Sequence, residues 1–178
     1  MRGVYTHNPE ALDPKGEIRS SIEKALKEPE RYVDRLNLGC GPDYLEGWTN
    51  LDGDPTVKAE IHCELDSRDV HIPVQKNSFD YIYASHILEH IWYLPQLKRE
   101  LVRILRPNGL IAVVVPHYLS EDAWGDDTHC RAFGQASFSS GFWPQCEIRL
   151  CQLLHIKGKD NVVDRAWLVG VMEKCLDL

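Results

Sequence analysis

The sequence predicts a doubly wound α/β fold on a mostly parallel sheet, and three observations carry that reading. Short apolar runs recur at Leu36–Leu38, Thr49–Leu51, Phe79–Ala84 and Leu110–Val115, each bounded by turn residues, as buried parallel strands require. Between the last two, Leu94, Leu97, Leu101, Ile104 and Leu105 recur at helical spacing. The first run enters the turn Gly39-Cys40-Gly41, and the second ends on Asp52. Side chains removed at a strand tip let a ligand touch backbone, and a nearby carboxylate can accept two hydroxyl hydrogen bonds.

In chain order, residues 1–15 carry the turn signals Asn8-Pro9 and Asp13-Pro14 and lie loosely on the surface. Glu17–Lys27 sets Ile18, Ile22, Ala25 and Leu26 on one helical face, and Pro29 ends it. Residues 1–34 thus read as an N-terminal extension with an amphipathic helix, and 35–178 as the main domain. Pro42 suits the opening of a helical turn, but the gap from Gly41 to Asp52 leaves only a stub of helix, bent at Gly47-Trp48. A third strand is expected at Ala59–Cys63, again with no room for a full helix before it. Ile72-Pro73-Val74 leads to a turn at Asn77-Ser78.

The helix after Phe79–Ala84 starts at Leu94, with Pro95 in its permitted first turn. Lys98, Arg99, Arg103 and Arg106 fall mainly on its other face and read as solvated. Pro107-Asn108-Gly109 stops it and turns into Leu110–Val115. His117–Pro144 has no period, and a loop of that length is usually functional or mobile. Glu147–Lys157 and Arg165–Glu173 read as a closing antiparallel pair around Gly158-Lys159-Asp160-Asn161.

At 178 residues the chain can bury a full three-layer core. Its 43% apolar and 26% charged content is that of an ordinary globular protein. The run closed by Pro116 is too short to span a membrane, and the N-terminus lacks a signal-peptide core. Six cysteines form no C-x-x-C pair, so free thiols in a reducing cytoplasm are expected. A net charge of −7 argues against general nucleic-acid binding.

A dinucleotide fingerprint needs a third glycine where Tyr44 stands, and no Walker lysine follows the turn. The shorter G-x-G of a cofactor without phosphate remains. LNLGCG, GWTNLD, FDYIYASHILEHI and LVRILRPNGLIAVVVP, in that order over Leu36–Phe133, together resemble the class I S-adenosylmethionine (SAM)-dependent methyltransferases, in the small type-11-like group. The resemblance implies a Rossmann-like sheet of seven strands with one antiparallel strand near the C-terminus. It implies SAM as cofactor and methyl transfer to an acceptor that is a small metabolite, a sugar or a protein side chain. It places backbone of Gly39, Cys40, Gly41 and Gly53 against the cofactor, Asp52 on the ribose, and Leu65 and Asp66 at the adenine. Ser85 and His86 would stand at the strand tip beside the sulfonium. Asn37 occupies a position where many members carry an acid, which weakens its contact with the methionine amino group. Asp52 is expected to serve the ligand with little effect on the stability of the ligand-free protein.

Two segments invite other chemistry. His86-Ile87-Leu88-Glu89-His90 matches the inverted zinc-protease pattern. It directly follows a strand in methyltransferase register, however, so no metal site is expected there. Asp127-Thr128-His129-Cys130-Arg131-Ala132-Phe133 resembles a D-x-x-H-x-R-x-F-like segment of related methyltransferases. His129 and His86 are the catalytic candidates, and Tyr118, Trp124, Asp127 and Arg131 the acceptor contacts. Gly125 and Gly134 would let the loop close as a lid. A catalytically silent SAM-fold binder or partner subunit is the alternative function, and a homodimer is left open.

Overall fold

Apolar runs without polar alternation are stable as strands only when both faces are covered, and the computed structural model gathers them into one seven-stranded sheet. The structure describes Ser20 and residues 31–139, 143–157 and 163–175; the helix expected at Glu17–Lys27 and most of the N-terminal extension lie outside the described residues. The strands are β1 (Arg35–Leu38), β2 (Thr49–Asp52), β3 (Ile61–His62), β4 (Phe79–Ser85), β5 (Leu105–Pro116), β6 (Cys146–Lys157) and β7 (Val163–Lys174). Their order is β3-β2-β1-β4-β5-β7-β6. β1 to β5 pair in parallel, and β7 lies antiparallel between β5 and β6. β7 is therefore the single reversed strand that the resemblance implied. From β1 the chain goes first to one side of the sheet and then to the other, which opens a crevice at the carboxyl ends of β1 and β4.

No helix separates β1 from β2 or β2 from β3 among the described residues; the stub expected after Gly41 is replaced by turns, and the short spacings exclude a full helix in either place. The expected third strand shrinks to the two residues of β3. One α-helix is described, α1 (Leu94–Ile104), with Pro in its first turn. Its Leu94, Leu97 and Leu101 are buried against Leu36, Leu38, Leu51, Ile82 and Ala84. Truncating any one of these leucines to alanine should cost about 2–5 kcal/mol. The opposite sheet face buries Tyr81, Leu110, Ala112, Val114, Val169 and Val171. Trp48 packs edge-on to Tyr81 there, with ring centroids 5.4 Å apart. No described helix is long and apolar enough to cross a membrane, and all six cysteines are free thiols.

Two expectations change. The turn at Pro107–Gly109 is absorbed into β5 as a bulge: Phe79 pairs with Leu105 and Tyr81 with Leu110. A Cβ on Gly109 would lie 2.8 Å from the Arg106 carbonyl and 2.9 Å from that of Asp80, so only glycine fits. The basic face of α1 is also largely committed. Lys98 is buried, its Nζ 4.8 Å from the Trp143 ring centroid. Arg103 donates to the carbonyls of Ile72 and Val74 and pairs with Glu100. Arg106 pairs with Asp34 and Asp80, which leaves Arg99 as the exposed member of the four.

Candidate functional site

β1 delivers the chain into the left-handed region at Gly39, with φ 64°. A Cβ there would also approach Ile87 Cγ1 to 2.6 Å, so sterics and backbone both demand glycine. The turn is tied to β2 by the Cys40 N–H, which donates to the Leu51 carbonyl at 3.0 Å. Asp52 then bridges two loops, accepting the Gly41 N–H at Oδ2 (2.8 Å) and the Asp54 N–H at Oδ1 (2.9 Å). This corrects the expectation that Asp52 is free of structural duty, because strand pairing aims it back at the turn. A carboxylate has about four lone-pair sites, so both oxygens keep acceptor capacity for a ligand diol.

A Cβ at Gly41 would meet nothing within 4 Å, which leaves open space beside the acid. Burial, reinforced by Asp52, pushes the Cys40 thiol up to about 11. The thiol thus stays neutral, and Cys40 offers its backbone. At Gly53 the nearest atom to an added Cβ is the Cys63 carbonyl oxygen, at 3.5 Å.

Asn37 is buried and donates through Nδ2 to the Asp43 carbonyl (2.8 Å) and to Asn50 Oδ1 (3.0 Å). Its amide nitrogen braces the loop. Sequence reasoning missed the rest of this network. Glu60 accepts the Asn50 N–H at 2.6 Å, the Asn50 Nδ2 at 3.1 Å and the Tyr44 hydroxyl. The Tyr44 bond first, then the Asn50 backbone donor, hold Glu60 down to about 2. Tyr44, standing where a dinucleotide site has its third glycine, thus serves as a clasp.

On the adenine side the correction is partial. The Leu65 side chain is in the core, so only its backbone can face a ligand. Asp66 accepts the Tyr93 N–H at Oδ1 (2.8 Å), satisfying a donor at the start of α1 and leaving its other oxygen.

At the tip of β4, Ser85 pairs with Val114, and the next residue turns sharply. His86 has φ 53°, a sparsely populated conformation for a side chain of this size. Its N–H donates to the Val114 carbonyl at 2.9 Å, and its Nδ1 lies 3.2 Å from Glu89 Oε1. Leu88–His90 is a single 3-10 turn, so His86 and His90 do not share the helix face that the inverted zinc-protease arrangement requires.

The loop after β5 folds over this tip and is seated firmly. The His117 N–H donates to the Ala166 carbonyl and the Ala166 N–H to Ser120 Oγ, while Phe133, Phe138 and Trp143 are buried. These anchors replace the freely hinged lid of the sequence reading. In the middle of the loop, the Cys130 N–H donates to the Glu89 carbonyl at 2.9 Å. The Thr128 hydroxyl donates to Asp126 Oδ1 at 2.5 Å and lies 2.9 Å from His90 Nδ1. His129 stacks edge-on to His90, centroids 4.6 Å apart, with Nε2 3.9 Å from Asp126 Oδ2.

The acid of the D-x-x-H pattern is therefore Asp126; Asp127 is exposed. Burial opposes the charge on Asp126, but the Thr128 hydroxyl and amide outweigh it and hold its carboxyl below the usual range. Burial lowers the His90 imidazole from its ordinary value. Tyr118 and Trp124 stand exposed, joined by a 2.7 Å bond from Trp124 Nε1 to the Tyr118 carbonyl. Arg131 Nη2 donates to the Trp92 carbonyl at 2.7 Å. Adjacent His and Glu in a recurrent segment were visible in the sequence; that Glu89 and His90 meet Asp126 and His129 was not.

Comparison with known proteins agrees with the fold. Residues 36–113 match the family described as "Methyltransferase domain". Trans-aconitate 2-methyltransferase of Escherichia coli is 28% identical over 62% of this chain and 48% of its own length, so the chain spans about half of that relative. Among solved structures, N-methyltransferase NodS from Bradyrhizobium japonicum, in complex with S-adenosyl-L-homocysteine, superposes with a TM-score of 0.60. The match covers 97% of this chain and 95% of that one, at 14% identity. A chain from the complex of the Haloferax volcanii Trm112 methyltransferase activator with a methyltransferase has a TM-score of 0.61 at 16% identity, covering 94% and 95%.

Proposed function

We propose that the chain is a class I SAM-dependent methyltransferase domain and transfers the methyl group of SAM to an acceptor, a reading supported by the match of residues 36–113 to a methyltransferase family and by the fold it shares with a methyltransferase solved with S-adenosyl-L-homocysteine. The observation that carries this reading is the Asp52 carboxylate, held by the Gly41 and Asp54 amides at the open side of a G-x-G turn. When bound, SAM supplies a methyl group already activated on a sulfonium. Gly39, Cys40, Gly41 and Gly53 present backbone to the cofactor, and Asp52 takes the ribose diol with its remaining lone pairs. Backbone at Leu65 and the second Asp66 oxygen serve the adenine. Ser85 and the strained His86 mark the floor under the reacting centre, where position and exclusion of water matter most. Tyr118, Trp124 and Arg131 form the acceptor wall, with His129 behind it. The free thiols suit a cytoplasmic setting.

Calorimetry with SAM and NAD in parallel tests this function. Binding of SAM at one site, with none of NAD, is expected. Binding of NAD instead would overturn it.

A second reading, a domain that works beside a partner, is supported by Trp92, Leu119 and Trp124, which stand 64%, 66% and 69% exposed. It also draws on the likeness to a chain solved with a methyltransferase activator. Turnover to S-adenosylhomocysteine with and without a cell extract separates the two.

A further inference from the structure

Beside the tip of β4, one ligand atom from each of Glu89, His90 and His129 lies within 4.8 Å of the others. We propose that these three side chains bind one divalent transition-metal cation, of the zinc class, with a coordination position left open. This is a different arrangement from the one the HxxEH pattern suggests: Glu89 is a ligand rather than a base, and His129 comes from the loop after β5.

Three features support a built site. First, both imidazoles are oriented from behind. The Thr128 hydroxyl gives its proton to Asp126 Oδ1, so at 2.9 Å from His90 Nδ1 it accepts that ring's N–H. His129 Nδ1 lies 3.3 Å from the Ala123 carbonyl, which can only accept. In these tautomers each ring keeps a lone pair on Nε2, that of His129 with Asp126 Oδ2 as a neighbour at 3.9 Å, and anchoring the far nitrogen in this way is how protein ligands to metals are aimed.

Second, Glu89 is 1% exposed, and neither of its carboxylate oxygens makes a hydrogen bond among the described residues. Among the described residues, the group set against that buried charge is His86 Nδ1, at 3.2 Å from Oε1 and without hydrogen-bond geometry. A cation would offset the cost of burying it. Third, the Cys130 N–H and Sγ both reach the Glu89 carbonyl, at 2.9 and 3.2 Å, locking the two segments that supply the ligands.

Two imidazoles with one carboxylate favour zinc and its neighbours over magnesium or calcium, which prefer oxygen ligands. Metal bonds of 2.0–2.1 Å place tetrahedral ligands about 3.3 Å apart, so the three groups close inward when the ion enters. Where the ion's open position is concerned, the inference rests on the methyl-transfer reading: an oxygen-bearing acceptor would occupy it, adjacent to His86.

The test is titration of chelator-stripped protein with zinc and with magnesium, followed by cobalt as a spectroscopic probe. One equivalent of zinc is expected, at least a hundredfold tighter than magnesium. Glu89→Gln and His129→Ala should each weaken zinc at least tenfold, and zinc should raise the melting temperature of the wild type but not of either variant. Cobalt should give d–d absorption without a thiolate charge-transfer band, and Cys130→Ser should leave the spectrum unchanged.

Equal zinc affinity in the folded variants, no zinc binding by the wild type, or a charge-transfer band that vanishes in Cys130→Ser would each overturn the site. SAM titration of the same samples keeps the two readings apart. Zinc without SAM binding would sink the methyl-transfer function alone, and SAM without zinc would sink this inference alone.

Discussion

The turn after β1 and the cluster beneath the β5 loop are neighbours at the carboxyl ends of the central strands, yet they are built in opposite ways. In the turn, the groups that face a ligand are mainly backbone, held by partners close in sequence: Gly41 and Asp52 are 11 residues apart. In the cluster, the chemistry lies in side chains brought from afar; Cys130 and Glu89 are 41 residues apart and Thr128 and His90 are 38. The first region should therefore respond to changes in shape and the second to changes in chemical type.

The largest effect is expected from Gly39→Ala. Holding alanine at φ 64° costs about 1–2 kcal/mol, and displacing Ile87, 2.6 Å from the new Cβ, adds about 1–3 kcal/mol. Urea unfolding should show a clear loss of stability, and SAM affinity should fall about thirtyfold or more, the equivalent of about 2 kcal/mol. An unchanged unfolding midpoint would mean that the strand tip relaxes freely, and the proposed contrast would collapse.

Asp52→Ala comes next. Its removal takes the acceptor from two backbone N–H groups, so ligand-free stability should drop by about 1–3 kcal/mol. SAM affinity should drop at least tenfold, since hydrogen bonds to a charged group contribute about 1.5–3 kcal/mol each. Calorimetry beside thermal melts separates the two losses. A melting temperature that does not move would show that the loop bridge is unimportant.

A third measurement sharpens the picture of the brace behind the turn. Glu60 is held at about 2 in the folded protein, against an ordinary 4.5. A depressed carboxyl pKa contributes stability above the unfolded value and loses it as pH falls through the folded one. Stability should decline from about pH 4.5 towards pH 2, and Glu60→Gln or Tyr44→Phe should flatten that decline. Parallel slopes in variant and wild type would remove Glu60 from the account.

The smallest effect on cofactor affinity is expected from His129→Ala. It should leave SAM binding within about threefold, below about 1 kcal/mol, while methyl transfer falls sharply once an acceptor is in hand. A variant that binds SAM poorly and turns over normally at saturation would assign the loop to the cofactor and merge the two regions.

What the sequence could determine was what short-range physics enforces. Period and turn chemistry located β1, β2, β4 and α1 to within a few residues, and the buried half of β5 but not its start at Leu105, because apolar runs, Gly39 and Pro95 constrain the chain locally. The spacing between Gly41 and Asp52 left room for a stub of helix at most, and the structure has none there. Pairing across the sheet then decided matters that no local pattern records. It turned Asp52 back onto the Gly41 amide, drew Tyr44 and Glu60 together over Asn50, and sank Lys98, which helical periodicity had placed at the surface, beside Trp143. The meeting of Glu89 and His90 with Asp126 and His129 lies furthest from the sequence. It depends on where a long loop is anchored, and those anchors are residues such as Ala166 and Phe138, whose partners only the closed sheet brings within reach.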